Sequence, residues 1–326
     1  MTGVAAAAAI SPPLSLHQLL TGWQTDALSI AAMVVEAALV VWYVTAIRRL
    51  ATRGRHWSRW RTASFLAGTL LVVVATQSGF ASYDDSVFSV HVVQHLLLMN
   101  FAPILFALAA PMTLALQSSS RRTQQALLRV LHHPVVEAIT HPAVVASLAY
   151  LTMLVFFLTP LYQLSLEHPL LHDFTHLHFL VSGALFWWLV IGLDPSRWRL
   201  SHPQKLGVLA VGIPVTAILG VSLTGAHGSI APLFHSVADT RAGGSILWVA
   251  GELTTLVAMG ITVYQWMRYE EREAVRADRR LDAETVAAAA TGPAPDTRPV
   301  LPDRGAVSPG QPGPVEGRAQ PQVTGQ

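Results

Sequence analysis

Cysteine is absent from the 326 residues, and charged side chains make up only 12%, where an average soluble domain carries about 25%. Without cysteine there is no disulfide, no thiolate metal site and no cysteine nucleophile. So little charge excludes an ordinary water-soluble enzyme. An apolar content of 52% and a mean hydropathy of +0.44 exclude disorder over most of the chain. The scarce charge is also uneven, since the last 59 residues hold 17 of the 40 charged side chains. The body is therefore poorer still in charge, and it reads as a membrane protein.

What is present in abundance is long apolar sequence. About 20 mostly apolar residues are needed to cross the hydrocarbon of a bilayer as a helix. Seven segments meet that length, at approximately 27–47, 63–82, 87–110, 143–163, 171–193, 206–226 and 242–267. Their runs do not alternate with period two, so helices rather than a barrel are expected. Pro103 and Pro111 predict a kink or an early end in the third segment. The fold class is thus all-α, a polytopic membrane protein of seven transmembrane helices.

Lysine and arginine set the orientation. Arg48, Arg49, Arg53, Arg55, Arg59 and Arg61 follow the first segment, and Arg121, Arg122 and Arg129 the third. Arg197, Arg199 and Lys205 follow the fifth, and Arg268, Arg272, Arg276, Arg279 and Arg280 the seventh. The other loops hold Arg241 alone. With seven helices every basic loop falls on one side, which places the N-terminus outside and the C-terminus in the cytoplasm.

Three regions follow: an extracytoplasmic N-terminal segment (1–26), the transmembrane domain (27–267) and a cytoplasmic tail (268–326). No basic stretch precedes the Val4–Ile10 run, so a cleaved signal peptide is not expected. Residues 119–131 read as a short amphipathic helix on the inner surface. The tail begins as a charged helix extension and turns Pro-, Gly- and Ala-rich, predicting disorder from about residue 287.

The fourteen histidines sort onto this topology. His91 and His95 lie in the outer half of the third helix, His172 and His176 in the outer half of the fifth. Four-residue spacing stacks each pair on one helical face, where two imidazoles can converge on one ion. His168, His227 and His235 fall in outer loops, with Asp84, Asp85 and Asp239 as outer carboxylates. Met99 continues the His91–His95 stripe by one turn. The inner histidines (His56, His132, His133, His141, His202) show no such pairing. Two matched pairs at one depth point to a shared polar or metal site, the alternative being structural hydrogen bonding. Imidazole, thioether and carboxylate fit copper or zinc, with iron behind, and Met99 leans toward Cu(I). Asp173 or Asp239 is positioned to orient an imidazole from outside the ligand set. Glu36 and Glu252, near the bilayer midplane, are either hydrogen-bonded neutral groups or parts of a polar track.

Residues His91-Val-Val-Gln-His95-Leu-Leu-Leu-Met99, Ala102-Pro103 and Ala110-Pro111 carry a resemblance, as do His168-Pro169-Leu-Leu-His172, His176-Leu-His178-Phe179 and Gly183-Ala-Leu-Phe186-Trp187-Trp188. Asp194-Pro195, Asp239, Gly244, Trp248 and Gly251-Glu252 complete it. Over roughly residues 20–267 the chain resembles the CtaG-type bacterial cytochrome c oxidase assembly factors. One departure is Asp239-Thr240-Arg241, where the family pattern has Gln after the Asp. The resemblance implies a multi-pass protein of the bacterial plasma membrane, not an enzyme, acting in respiratory chain biogenesis. It implies copper as the ion handled, with His91, His95, His172 and His176 as its ligands or relay residues. Oxidase subunits and the lipid bilayer are the implied partners, and no nucleic acid is expected. A haem-binding electron carrier with histidine axial ligands and a copper transporter are the competing readings.

Overall fold

The structure, a computed structural model, describes His17 and residues 22–291, with side chains through Ala287. Among the described residues every regular element is helical. In chain order these are α1 (Ala27–Ala51), α2 (Arg59–Gln77), α3 (Phe88–Leu96), a π-helical turn (Leu97–Phe101), α4 (Ala102–Ala109) and α5 (Pro111–Ser118). They continue as α6 (Arg121–Leu131), α7 (Pro134–Ile139), α8 (Pro142–Leu158), α9 (Leu161–Glu167), α10 (Pro169–Ile191), α11 (His202–Thr224) and α12 (Val237–Thr291). The helix expected over 119–131 is present as α6, with no buried residue.

Five stretches are long and apolar enough to cross a bilayer: Ala27–Ala51, Phe88–Ser118, Pro169–Ile191, His202–Thr224 and Val237–Ala287. α8 with α9 makes a sixth if the pair is one span, despite a 76° bend between them. Helix length and composition therefore support five or six spans rather than the expected seven. The difference is α2, expected at 63–82, which starts at Arg59 and ends at Gln77. Arg59 and Arg61 in its first turn dilute an otherwise apolar stretch of 19 residues. α12 runs as one helix of 55 residues past the expected boundary at 267. Residues through Glu271 form one compact unit and those from Arg272 a second. The expected disorder falls mainly on 292–326, and most of the N-terminal segment on 1–16 and 18–21, both outside the described residues.

The breaks follow from proline chemistry. Pro103 has no N–H to give the Met99 carbonyl and would crowd it in a regular helix. The chain absorbs this in the π-helical turn that contains Met99. Gly183 of α10 packs directly on that Met99 carbonyl, where a Cβ would clash with backbone atoms. The residue before a proline is biased away from the α region; Ala102, before Pro103, stays helical, whereas Ala110, before Pro111, takes a left-handed φ of 50° and ends α4. Pro160 similarly ends α8 and starts α9 at the bend.

Two aspartates from distant segments then cap helix starts. Asp194, after α10, accepts from the amides of Met112 (3.1 Å) and Thr113 (2.7 Å) and from the Thr113 hydroxyl (2.5 Å). Asp239 of α12 accepts from the amides of Phe88 (2.5 Å) and Ser89 (3.2 Å), the first turn of α3. A carboxylate there satisfies orphan donors and complements the positive end of the helix. Gly243 packs on the Phe88 ring one turn later, leaving no space for a Cβ. α12 thus fixes where α3 begins.

The basic loops gather at one end. Arg53 reaches the carbonyls of Gln117 (3.3 Å) and Ser119 (3.4 Å), and Arg197 pairs with Glu137 at 2.7 Å. The segments 78–87, 159–168 and 225–236 gather at the opposite end, where His235 bonds Tyr162 and Asp84 lies beside α10. Replacing Asp239 with Ala removes both cap contacts and should cost about 1–2 kcal/mol, read as a lower midpoint of thermal unfolding in detergent. An unchanged midpoint would contradict the capping role.

Candidate metal centre

The site is built from three segments that the sequence leaves far apart. α3 presents His91 and His95, α10 presents His172 and His176, and the loop before α3 supplies Asp84. Helical spacing stacks each pair: the ring centroids are 4.2 Å apart for His91–His95 and 4.4 Å for His172–His176. The two pairs face each other. His91 stacks on His172 at 5.4 Å with 10° between planes, and His95 meets His176 edge-on at 5.4 Å.

Around them the walls are aromatic and apolar. Phe156 and Phe157 of α8 and Phe179 of α10 lie against His95, with centroids 5.6, 5.8 and 4.6 Å away. Tyr162 of α9 stands edge-on to His91 at 4.9 Å, and its hydroxyl shares a buried hydrogen bond of 2.7 Å with His235 Nε2. The bend after α8 is what turns α9 across the cluster. His91 and His95 are 0% and 2% exposed, so bulk water does not reach them.

Ring nitrogens buried this deeply are ordinarily hydrogen-bonded. Here both nitrogens of His91, and Nε2 of His95, His172 and His176, have no hydrogen-bond partner. One ligand atom from each of Asp84, His91, His172 and His176 lies within 4.8 Å of the other three. Asp84 is 3% exposed, and its carboxylate stands 3.8 Å from His172 Nε2 and 3.9 Å from His176 Nε2. Those distances are too long for hydrogen bonds and short enough for one ion to lie between the atoms. Burial, reinforced by the neighbouring Asp85 carboxylate, holds the Asp84 carboxyl well above the usual carboxylate range. Burial also pulls the His235 imidazole below its ordinary value. Unpartnered imidazole nitrogens within 4.8 Å of one another and of a buried carboxyl are what a cation satisfies, and three imidazoles with a carboxylate suit Cu(II), Zn(II) or Fe(II).

The remaining sequence-predicted residues divide as follows. His95 closes the imidazole cluster from below, in ring contact with His91 and His176. Met99 is buried in the π-helical turn and lines a cavity of about 30 Å³ with Asn100, Tyr150, Met153 and Trp187, which includes no histidine. Asp173 is exposed. The carboxylate beside His172 Nδ1 is instead Asp85, at 3.3 Å. Asp239 is engaged with the start of α3. Glu36 accepts from Gln77 (3.0 Å), and Glu252 accepts from the Thr216 hydroxyl (3.1 Å), each a pairing between neighbouring helices. His168 and His227 are exposed. Asp84 is the residue that spacing did not assign to the ligand set. Its signal was the Asp84-Asp85 pair just ahead of a histidine-bearing helix, but only the folded turn brings it inward.

Asp84→Asn keeps the shape and removes the buried charge. Because the Asp84 carboxyl is raised on folding, its ionised form is the disfavoured one, and metal-free stability falls as pH rises through the folded value. The variant should therefore melt higher than the wild type at neutral pH when metal-free. It should bind added Cu(II) or Zn(II) more weakly by at least about 10–100-fold, the loss already seen when only an outer partner of a ligand is removed. Calorimetric melting and metal titration check both arms, and undiminished affinity would remove Asp84 from the site.

The chain matches the family profile described as cytochrome c oxidase caa3 assembly factor over residues 41–269. Uncharacterized proteins of Mycobacterium bovis and Mycobacterium tuberculosis are each 31% identical to it over 289 residues, and one of Mycobacterium leprae over 288. These alignments take in 83% of this chain but 43% of each relative, so the chain spans less than half the length of the curated relatives it matches. No solved structure matches it. The helices that carry the histidine pairs and their aspartate cap all lie within the matched region, and the chain belongs to the family of cytochrome c oxidase caa3 assembly factors.

Proposed function

We propose that this chain binds a copper ion between α3 and α10 and passes it to a cytochrome c oxidase subunit during assembly. The observation that carries the reading is the set of buried, unpartnered imidazole nitrogens beside Asp84. Leaving such groups unsatisfied is costly, and a dissociable cation returns that cost when bound. His91, His172, His176 and Asp84 would hold the ion, and His95 would stand beside it. Copper supplies no chemistry here beyond being cargo. What the chain contributes is neutral imidazoles and an Asp84 carboxyl that gives up its proton when the ion binds, a cover of Phe156, Phe157, Phe179 and Tyr162 against water, and Asp85 as acceptor beside His172 Nδ1. Membership in an oxidase-assembly family favours copper over zinc, because the ion must serve a respiratory enzyme.

The reading extends to topology and place. Seven spans, with α2 counted, put the imidazole end outside the plasma membrane of a bacterium and the basic loops in the cytoplasm. The gathering of Arg53, Arg197 and their partners at the opposite end supports this orientation. Copper would then be taken up and released at the outer face. The role is that of an assembly protein rather than an enzyme. A haem reading is less well supported, since His91 and His172 stack face to face at 5.4 Å with no slot for a macrocycle between them.

Two measurements test the proposal. Purified protein should carry or take up copper, and His91→Ala with His172→Ala should abolish this while leaving circular dichroism unchanged. In cells the same variant should lower oxidase activity and oxidase-bound copper, with partial rescue by added copper. Full copper binding and normal oxidase in the variant would refute the proposal. For the orientation, the cysteine-free chain allows single introduced thiols. Ser86→Cys should react with a membrane-impermeant maleimide in intact cells, whereas Ser119→Cys should react only after lysis, and the reverse pattern would invert the topology.

A further inference from the structure

At the basic end, a second cavity of about 70 Å³ opens between α6, α7 and the segment after α10. Its wall includes Leu131, His132, Thr140, Trp188, Ser196 and Arg197. The Trp188 indole N–H is buried and has no hydrogen-bond partner. An indole can only donate, so what completes this site is an acceptor. The polar groups nearby are committed in ways that leave donors over. Arg197 gives Nε to Glu137 at 2.7 Å, leaving the two terminal nitrogens of its guanidinium fork. Glu137, the carboxylate at this spot, is taken up by that pair, and its backbone carbonyl accepts from Trp198 Nε1 at 3.0 Å. His132 holds the Leu128 carbonyl with Nδ1 at 2.7 Å.

We infer that this cavity binds a phosphate group, presented by an anionic phospholipid headgroup. A planar Arg fork and an unpartnered indole N–H, both carried by residues lining one cavity, match a tetrahedral oxyanion, which offers several acceptors at once. The volume admits a phosphate-sized group and not a large ligand. Its place fits a lipid source. α6 is strongly amphipathic, has no buried residue and carries Arg121, Arg122 and Arg129, and a helix of this kind lies in the headgroup layer. Leu128, Leu131 and Val136 line the same opening and give the glycerol and first methylenes an apolar contact. The site is independent of the imidazole cluster, at the other end of the bundle.

The test uses the full chain purified in detergent, with retained lipid counted by native mass spectrometry. Phosphatidylglycerol should be retained over phosphatidylcholine. Trp188→Phe keeps the ring and removes the N–H, and Arg197→Gln removes the fork. Each should weaken phosphatidylglycerol retention about tenfold, the effect of one hydrogen bond to a charged group. An unchanged melting curve would establish that either variant still folds. Equal retention of the two lipids by the wild type overturns the lipid source, and inorganic phosphate that stabilises the wild type but not Trp188→Phe would then assign the cavity to a free anion. Phosphatidylglycerol retention that neither variant alters overturns the site itself.

Discussion

Five imidazole nitrogens are held in the middle of an apolar bundle with nothing to bond to. This is the constraint around which the rest of the molecule is arranged. Bulk water does not reach His91 and His95, and the surrounding phenylalanines offer no hydrogen-bonding group. A protein tolerates such a cluster when something shared returns the lost hydrogen bonds. Asp84 alone does not, because it stands beyond hydrogen-bond reach of both His172 and His176.

The elements that hold this arrangement are unusual because proline placed them. Pro103 opens a π-helical turn, which brings the Met99 carbonyl against Gly183 and lets α10 lie close to the histidine-bearing helix. Pro160 bends the chain so that Tyr162 closes over His91. Asp239 ties the first turn of α3 to α12, and Asp194 does the same for α5. The two aspartates are therefore positioning residues. They set where helices begin, and through that the depth at which the imidazoles lie.

Much of this was legible in the residues. The four-residue spacing of His91–His95 and His172–His176 is a local pattern that survives folding unchanged. The α6 helix was readable from 119–131 for the same reason. Other features were not. The depth of Asp84 depends on a turn whose path no periodicity encodes. Asp239 and Asp194 look like surface carboxylates until the helices they cap arrive from 151 and 81 or more residues away in sequence. Met99 continues the histidine stripe only in a regular helix, and the π-helical turn shifts that register. Helix α2 lies near the margin, where two arginines decide whether it counts as a span.

The central claim is that imidazole and carboxylate, without sulfur, hold the ion. X-ray absorption at the copper edge, on protein loaded with one equivalent of Cu(II), tests it most directly. The account predicts a first shell of nitrogen and oxygen at about 2.0 Å with the outer-shell scattering of about three imidazoles, and that scattering lost in His91→Ala/His172→Ala. Sulfur at about 2.3 Å, from Met99 or Met153, or a spectrum indifferent to the two histidines, would contradict it.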